Sequence, residues 1–332
     1  MPFAPFAGPF RMKRLVASTT VIGLAFSIVG CGTSSTLNGA GASFPAPIYQ
    51  RWFQELASKG VRVNYQSVGS GAGVRQFISR TVDFAASDVP MKPEEIAKVQ
   101  QGVVQIPMTA GAIAVAYQHK GCELKLSQAQ LVGIFQGKIS NYSQLGCAPK
   151  PIKVVVRADG SGTTANFTAH LAAIDPTWKQ QVGSGKSVKG PVGTGAKGNE
   201  GVAAQLNQVD GGLGYVEAAF VRDPLQAAAL TNAAGQLVTL SAESEQAALA
   251  SIDLGPDLIG GNPNPPAGYP IVTFSWILLY KTGNGPRHEA LNKAFSYTLS
   301  EPAQAMAGGL GFIGLPRPVL EKGQAALATI QP

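Results

Sequence analysis

Apolar segments of strand type alternate with amphipathic segments of helical type along most of this chain of 332 residues. The apolar segments are VRVNYQSV (61–68), VDFAASD (82–88), GAIAVAYQ (111–118), KPIKVVVRA (150–158), GLGYVEAAF (212–220) and TFSWILLYK (273–281). The segments with helical spacing include GVRQFISR (73–80), SQAQLVGIFQG (127–137) and TTANFTAHLAA (163–173). This alternation predicts an α/β fold with mixed, mostly parallel sheets, in which ligands bind at the carboxyl ends of strands. The length of the chain favours two lobes rather than one core.

The beginning of the chain carries the pattern of an export signal. Lys13 and Arg14 precede a short apolar stretch, 15–29, that is too short for a comfortable transmembrane span. The stretch ends in IVGC (28–31), which resembles a bacterial lipobox. We therefore predict a signal peptide over 1–30, lipidation of Cys31 and a tether over 31–37. The alternatives are an ordinary signal peptide with a chance cysteine, and translation from Met12 instead of Met1.

The charge of the chain limits its partners. The formal net charge is +7, and removal of residues 1–30 lowers it to +4 because three cations (Arg11, Lys13 and Arg14) and no acidic residue are lost. A mildly basic chain without a run of lysine or arginine gives poor support for a nucleic-acid surface. No later stretch has enough consecutive apolar residues to cross a membrane.

Two cysteines remain if Cys31 takes a lipid. In an exported protein, an even pair such as Cys122 and Cys147 suggests a disulfide bond. The alternative is two free, buried thiols. A bond between them would close a loop of about 25 residues and stabilise the protein by about 3 kcal/mol on the chain-entropy model.

Three segments share one design, in which a strand ends, small residues follow and a helix starts. They contain Ser43 with the Phe44 N–H group, then Ser70, then Ser161 with Gly162 and Thr163. Each helix start leaves N–H donors unpaired, and the helix dipole adds partial positive charge, so such ends bind oxyanions. Each serine or threonine could instead be only a helix cap, and we expect Ser43 to cap its helix.

Two charged residues at strand ends favour the anion site. Arg157 follows a strongly apolar strand and can bind an oxyanion through two N–H groups, while Asp159 could hold its guanidinium in place. Asp88 also ends a strand, and a carboxylate suits an anion only if that anion carries a proton. Phosphate is protonated near neutral pH. Sulfate is fully ionised, so its bare oxygens would face Asp88 and be rejected by several kcal/mol.

Five ordered motifs carry a resemblance to a known family. They are GAGASFPAPIY (39–49), NYQSVGSGAGVRQFISRTVDFAASDVPM (64–91), RADGSGTTANFT (157–168), GTGAKGNEGVAA (193–204) and GLGYVEAAF (212–220). Together they are similar to the substrate-binding proteins of bacterial phosphate ABC transporters, from about Leu37 to the C-terminal region. The resemblance implies two α/β lobes joined by hinge strands (a periplasmic-binding-protein or Venus-flytrap fold) that close on dehydrated phosphate. It implies no cofactor, no metal and no chemistry on the ligand.

The resemblance also implies a site and a chain path. The implied phosphate ligands are Ser43, the Phe44 backbone, Ser70, Asp88 as proton acceptor, Arg157, Ser161, Gly162 and Thr163, with Asp159 orienting the arginine. The family often has a second serine after Ser70, whereas this chain has Gly71. The chain would cross between lobes near 115–119 and return near 272–277. We therefore expect lobe 1 to span 38–117 and 275–332, and lobe 2 to span 118–274.

The resulting prediction is a monomeric phosphate receptor of the periplasm or cell envelope, lipid-anchored to the membrane, that delivers phosphate to the permease subunits of an ABC transporter. The alternatives are a receptor for another tetrahedral oxyanion, such as sulfate or a phosphonate, and a phosphatase-like enzyme on the same scaffold. An enzyme would need a metal cluster or an activated nucleophile, and His119, His170 and His288 lack metal-ligand spacing. GTGAKG (193–198) fits a dinucleotide motif but does not follow a clear predicted strand, so we do not expect it to bind a nucleotide.

Overall fold

The computed structural model describes residues 36–332, together with residues 1, 2, 4 and 8. The predicted signal peptide (1–30), apart from those four residues, Cys31 and most of the predicted tether lie outside the described residues. Thr36 and Leu37, the last residues of the predicted tether, instead begin the first strand, because the apolar Leu37 side chain is fully buried in the core. Within the described residues, no helix combines the length and the hydropathy needed to cross a membrane.

The described residues contain twelve strands and eleven α-helices. The strands are β1 (Thr36–Gly41), β2 (Arg62–Ser67), β3 (Phe84–Ser87), β4 (Val103–Tyr117), β5 (Lys125–Leu126), β6 (Lys153–Arg157), β7 (Thr194–Ala196), β8 (Gly212–Glu217), β9 (Gln226–Ala227), β10 (Ala229–Thr231), β11 (Leu237–Val238) and β12 (Val272–Tyr280). The helices are α1 (Ala46–Ser58), α2 (Ser70–Ile78), α3 (Pro93–Ile96), α4 (Gln128–Phe135), α5 (Gly162–Ile174), α6 (Pro176–Gln181), α7 (Gly198–Gln208), α8 (Ala242–Leu249), α9 (His288–Thr298), α10 (Glu301–Gln304) and α11 (Arg317–Leu327). The alternation predicted from the sequence is therefore confirmed.

Hydrophobic spacing explains helix α1, and a side-chain cap explains where helix α5 begins. In α1, Ile48, Tyr49, Trp52, Phe53 and Leu56 are buried, and their spacing places them on one helical face. Helix α5 begins after Ser161, whose side chain accepts a hydrogen bond from the N–H group of Thr164. This cap satisfies one of the free donors at the helix start and fixes where α5 begins.

Nine strands form one mixed sheet in the order β2-β1-β3-β12-β4-β8-β6-β7, with β9 also paired to β4. Pairing is parallel at the two ends of this sheet, where β1 lies between β2 and β3 and β6 lies between β7 and β8. The pairings of β4 and β12 are antiparallel. The predicted mixed sheet is confirmed, but it is less parallel than expected because these two central strands run against their neighbours.

Strand β4 belongs to two halves of the sheet. Its residues 103–112 pair with β12, and its residues 113–117 pair with β8. We call β2, β1, β3, β12 and residues 103–112 the β1 half, and residues 113–117, β9, β8, β6 and β7 the β6 half. The change of partner falls between Ala112 and Ile113, a few residues before the crossing expected near 115–119. The lobe boundaries themselves stay a prediction.

A small second sheet and a disulfide bond lie beyond the main sheet. The order of the small sheet is β11-β10-β5. Cys122 and Cys147 are joined by a disulfide bond across a sequence separation of 25 residues. The predicted pairing of these two cysteines is therefore confirmed.

Candidate functional site

The carboxyl end of β6 presents a buried arginine. The Arg157 side chain is 1% exposed, and its Nε and Nη2 atoms donate to the two carboxylate oxygens of Asp159 at 2.8 and 2.6 Å. The remaining nitrogen, Nη1, donates to the Thr163 hydroxyl at 3.3 Å. Burial tends to raise the pKa of Asp159, but hydrogen bonds from Arg157 and its charge outweigh burial and lower that pKa. Asp159 thus holds one edge of the guanidinium, and the other edge points toward the start of α5.

The start of α5 meets the start of α2. The N–H group of Gly162 donates to the Ser70 hydroxyl oxygen at 3.2 Å, and within the described residues we find no acceptor for the N–H group of Thr163. A Cβ atom on Gly162 would lie 2.6 Å from Ser70 Oγ and 2.7 Å from Asp88 Cβ. Only glycine therefore fits at this position without moving the surrounding chain.

Asp88 lies directly after β3 and is almost fully buried. Its Oδ1 atom accepts a 2.8 Å hydrogen bond from Ser275, and its Oδ2 atom lies 3.4 Å from Ser70 Oγ. Burial raises the pKa of Asp88 to about 7, although hydrogen bonds from Ser275 and Ser70 and the charge of Arg157 oppose the rise. The carboxyl group therefore exchanges its proton near neutral pH, beside a fixed cation and a helix N-terminus.

Ser43 does not cap α1, contrary to the prediction. The residue before α1 is Pro45, which makes no side-chain cap. The Ser43 hydroxyl oxygen accepts hydrogen bonds from the backbone N–H and from the side-chain amide of Asn199, both at 3.0 Å. Ser43 lies two residues before the cap position of α1, and its hydroxyl oxygen contacts the start of α7 instead. Its hydroxyl proton stays available for donation, as does the N–H group of Phe44, for which we find no acceptor within the described residues.

The sequence analysis missed Asn199 and Ser275. Asn199 is fully buried, and its side chain also donates to Thr163 Oγ1 at 3.1 Å and accepts from the Glu217 N–H group at 3.0 Å. Asn199 lies inside the family-like motif GTGAKGNEGVAA, which was the available signal. For Ser275, the signal was a serine two positions after Thr273 in a strand that is otherwise apolar.

GTGAKG (193–198) has a structural role that the sequence did not show. The short strand β7 lies within the motif itself. Three residues containing a glycine are too few and too polar for a recognisable strand pattern. The motif leads into α7, where the N–H group of Gly198 donates to Asp159 at 3.0 Å. Gly198 therefore helps to fix the carboxylate that holds Arg157.

Hydrogen bonds join the two halves of the sheet across this site. Gly71 N–H donates to the Gly160 carbonyl at 2.8 Å, and a Cβ atom on Gly71 would lie 3.1 Å from Gly160 Cα. At the opposite rim, the Ser67 hydroxyl donates to Glu200 at 3.0 Å. A side chain at position 71 would therefore require the Gly160 backbone to shift slightly. The two halves of the sheet are therefore in contact at this site.

The structure brings the predicted ligand residues into one connected set. Ser43 is linked through Asn199 to Thr163 and Arg157, and Ser70 is linked to both Asp88 and Gly162. Ser161 and Phe44 are chain neighbours of members of this set. Within the described residues, no group of three or more His, Cys, Asp or Glu side chains is arranged to hold a metal ion. The arrangement offers N–H, hydroxyl and guanidinium donors together with one protonatable carboxyl group, a combination suited to a protonated oxyanion.

Comparisons with known proteins show the superfamily and the family of this chain. The family model described as a PBP superfamily domain matches residues 30–302. The phosphate-binding protein PstS of Pasteurella multocida (strain Pm70) is 39% identical over 329 residues, which cover 93% of this chain and 95% of the relative. The phosphate-binding protein PstS of Haemophilus influenzae (strain ATCC 51907 / DSM 11121 / KW20 / Rd) is 40% identical over 305 residues, with 86% and 91% covered. This chain belongs to the PstS family of phosphate-binding proteins within that superfamily.

A solved structure shares the fold. The phosphate-binding protein from Stenotrophomonas maltophilia has a TM-score of 0.72 and 21% sequence identity, covering 88% of this chain and 93% of its own. A high-affinity periplasmic phosphate-binding protein, solved with phosphate bound, gives a TM-score of 0.73 at 21% identity with the same coverage. The periplasmic-binding-protein fold predicted from the sequence is therefore confirmed.

Proposed function

We propose that this protein binds inorganic phosphate between its two lobes and delivers it to the permease of an ABC transporter for import. The observation that carries this proposal is the pairing of Arg157, fixed by Asp159, with the buried, protonatable Asp88 at the start of α5. The relatives at 39% and 40% identity, which are named phosphate-binding proteins, support it.

The proposed ligands surround phosphate with donors and one acceptor. They are Ser43, the Phe44 N–H group, Ser70, Asp88, Arg157, Ser161, Gly162 and Thr163. The hydroxyl and N–H groups would replace the water that phosphate loses, and the guanidinium would offset its charge. Ser161 can take part while it caps α5, because a hydroxyl accepts one hydrogen bond and still donates another.

The selectivity for phosphate over sulfate follows from Asp88. Phosphate brings an O–H group that the ionised carboxylate accepts, so that both partners are satisfied. Sulfate brings no proton at neutral pH, and its oxygen would face the carboxylate without a shared proton. A buried, unsatisfied acceptor beside a like charge costs several kcal/mol, so the site should prefer phosphate strongly.

We further propose that phosphate binding is coupled to closure of two lobes, 38–117 with 275–332 and 118–274. The cross-links between the two halves support this, because Ser70 and Gly162 lie on opposite sides and meet at one point. A ligand that binds the closed form better than the open form shifts the population toward closure. The protein would act as a monomer in the periplasm or cell envelope, anchored through a lipid on Cys31.

We propose a binding protein rather than an enzyme, in keeping with the names of the relatives. The contrasting activity is hydrolysis of phosphate esters in the same cradle. An assay with a chromogenic phosphate ester, with and without added divalent metal, separates the two. Sustained turnover that depends on Arg157 would overturn this part of the proposal.

Titration calorimetry tests the function directly. The protein from Gly32 onward is freed of ligand by unfolding and refolding, then titrated with phosphate and with sulfate at pH 7.5. We expect one phosphate per chain and no sulfate heat. Asp88→Asn should lose most of the selectivity for phosphate over sulfate, whereas the matched control Asp253→Asn, at an exposed carboxylate, should keep it. No heat from phosphate would refute the proposed function.

A further inference from the structure

Strand β12 carries two hydroxyl side chains inside the core. All nine of its residues are buried, and Thr273 and Ser275 lie two positions apart, which places them on the same side of the strand. The Thr273 hydroxyl donates to the main-chain carbonyl of Asp88 at 3.1 Å. The Ser275 hydroxyl donates to the carboxylate oxygen Oδ1 of Asp88 at 2.8 Å. A buried hydroxyl group without a hydrogen-bond partner costs free energy, and Asp88 supplies an acceptor to both of these side chains.

An irregularity in the sheet lies at Ser275. Ser275 pairs with Thr109 of β4, but Trp276 pairs with Pro107, so the register shifts between them. Such a bulge bends the strand locally and redirects a side chain, and bulges occur often next to functional sites. The bulge therefore lies at the residue whose hydroxyl group contacts Asp88.

The two oxygens of the Asp88 carboxylate have different surroundings. Oδ1 is occupied by the Ser275 hydroxyl, on the side of β12. Oδ2 lies 3.4 Å from Ser70 Oγ and close to Gly162, on the side of the proposed ligands. The hydrogen bond from Ser275 therefore fixes the orientation of the carboxylate and leaves Oδ2 facing the site.

We propose that Ser275 is a positioning residue that keeps Asp88 ionised and holds its Oδ2 atom as the acceptor of the phosphate proton. Ser275 thereby sets the selectivity between protonated and fully ionised oxyanions. The inference rests on the proposed binding of phosphate. It adds a residue that would not touch the ligand and would act only through Asp88.

Few of the charged groups around Asp88 favour its ionised form, so the hydrogen bond from Ser275 matters for its pKa. The titratable groups that face Asp88 from the neighbouring elements are Arg157, Asp159, Glu217, Tyr49 and Tyr65. Of these, only Arg157 favours the ionised carboxylate, and burial opposes it. The Ser275 hydrogen bond is the foremost influence that lowers the pKa of Asp88, ahead of the charge of Arg157. Loss of that hydrogen bond should therefore raise the pKa above about 7.

Tyr49 lies behind Ser275. Its buried hydroxyl has no hydrogen-bond partner among the described residues. Burial and the charge of Asp88 raise the pKa of Tyr49. Tyr49 is thus neutral and adds no charge of its own, so the Ser275 hydroxyl is the polar group that acts on Oδ1 from this side.

The test compares three variants of the exported chain from Gly32 onward with the unaltered protein. Ser275→Ala removes the donor, Ser275→Thr keeps it, and Thr273→Val removes the neighbouring hydroxyl that contacts only main-chain carbonyl groups. Phosphate affinity is measured by calorimetry from pH 6 to 9, and sulfate by competition. We expect Ser275→Ala to weaken phosphate binding about tenfold at pH 7.5 and to lower the selectivity over sulfate about as much. The phosphate affinity of Ser275→Ala should level off at a pH about one unit higher than the affinity of the unaltered protein does.

Ser275→Thr should restore the original selectivity and pH profile, and Thr273→Val should leave both unchanged even if its melting temperature falls. If Ser275→Ala does not fold, Ser275→Cys fills the space of the hydroxyl with a slightly larger thiol that donates only weakly, and it should show the same direction of change. An unchanged selectivity and pH profile in the donor-deficient variant would overturn the inference while phosphate binding by the unaltered protein still stands. Absence of phosphate binding in the unaltered protein would instead overturn the proposed function, and the inference with it.

Discussion

Asn199 donates two hydrogen bonds of 3.0 Å to the hydroxyl oxygen of Ser43, one from its backbone N–H group and one from its side-chain amide. The two residues are 156 positions apart, and Ser43 follows a strand of the β1 half whereas Asn199 opens a helix beside the β6 half. The same amide nitrogen reaches Thr163, so one buried side chain orients proposed ligands on both sides of the site.

We expect Asn199→Ala to weaken phosphate binding about tenfold to a hundredfold, because Ser43, Thr163 and the Glu217 N–H group would each lose a buried partner. Calorimetry measures the effect. Asn207→Ala, at an exposed position of the same helix, is the matched control and should bind as the unaltered protein does. Equal affinities for the two variants would contradict the role given to Asn199.

Replacement of Arg157 should be the most damaging single change at the site. Arg157→Ala removes a buried guanidinium and leaves Asp159 without its partner, so we expect a loss of about 2–5 kcal/mol in binding free energy. Arg157→Lys should recover little, because an ammonium group does not make the paired bonds of a guanidinium. Lys153→Ala, at an exposed position of the same strand, is the control. A change below about tenfold in Kd for Arg157→Ala would argue against Arg157 as a ligand.

The pKa of Asp88 predicts how stability depends on pH without ligand. Burial raises this pKa to about 7, above the value of about 4 in an unfolded chain, so the folded protein holds a proton that the unfolded chain releases. The stabilising contribution is complete below about pH 4 and is lost as pH rises to about 7. Urea unfolding should therefore show a fall of about 2–4 kcal/mol over this range that is smaller in Asp88→Asn. Glu245, whose pKa burial raises to about 7, acts in the same direction, so the comparison between variants isolates Asp88.

A methyl group at Gly162 should block closure. Its Cβ atom would lie 2.6 Å from Ser70 Oγ and 2.8 Å from Asp88 Oδ2, both on the other side of the site. We expect Gly162→Ala to fold but to bind phosphate at least about a hundredfold more weakly, since a protein held open loses half of its ligands. Gly308→Ala, where a Cβ atom meets nothing within 4 Å, is the control. Small-angle scattering of both variants with phosphate would show whether only the first stays extended.

The parts of the site that could be predicted from the sequence depend on contacts between residues that are close together in the chain. Asp159 is two residues from Arg157, and Ser161 is three residues before the N–H group that it caps, so both contacts follow from short spacings. Strand ends and helix starts are also readable, because hydrophobic periodicity marks the elements on either side.

Long-range contacts explain what was missed. Ser275 is 187 residues from Asp88 and Asn199 is 156 residues from Ser43, and no periodicity in the sequence encodes such a separation. Ser43 was expected to cap α1 because its position resembles a cap, but α1 begins only after Pro45 and Ser43 accepts hydrogen bonds from Asn199 of α7. The change of partner within β4, between Ala112 and Ile113, was not predicted, because this strand is buried along nearly all of its length and its sequence shows no break there.

Strand β12 lies between β3 and β4, and it comes from the last fifth of the chain. Until residues 272–280 emerge from the ribosome, one edge of β3 and one edge of β4 lack the strand that hydrogen-bonds to both. Pairing of such distant segments is slow because a long loop must close before any contact forms. A nascent chain with this order of strands therefore cannot complete its main sheet until its last fifth has been synthesised.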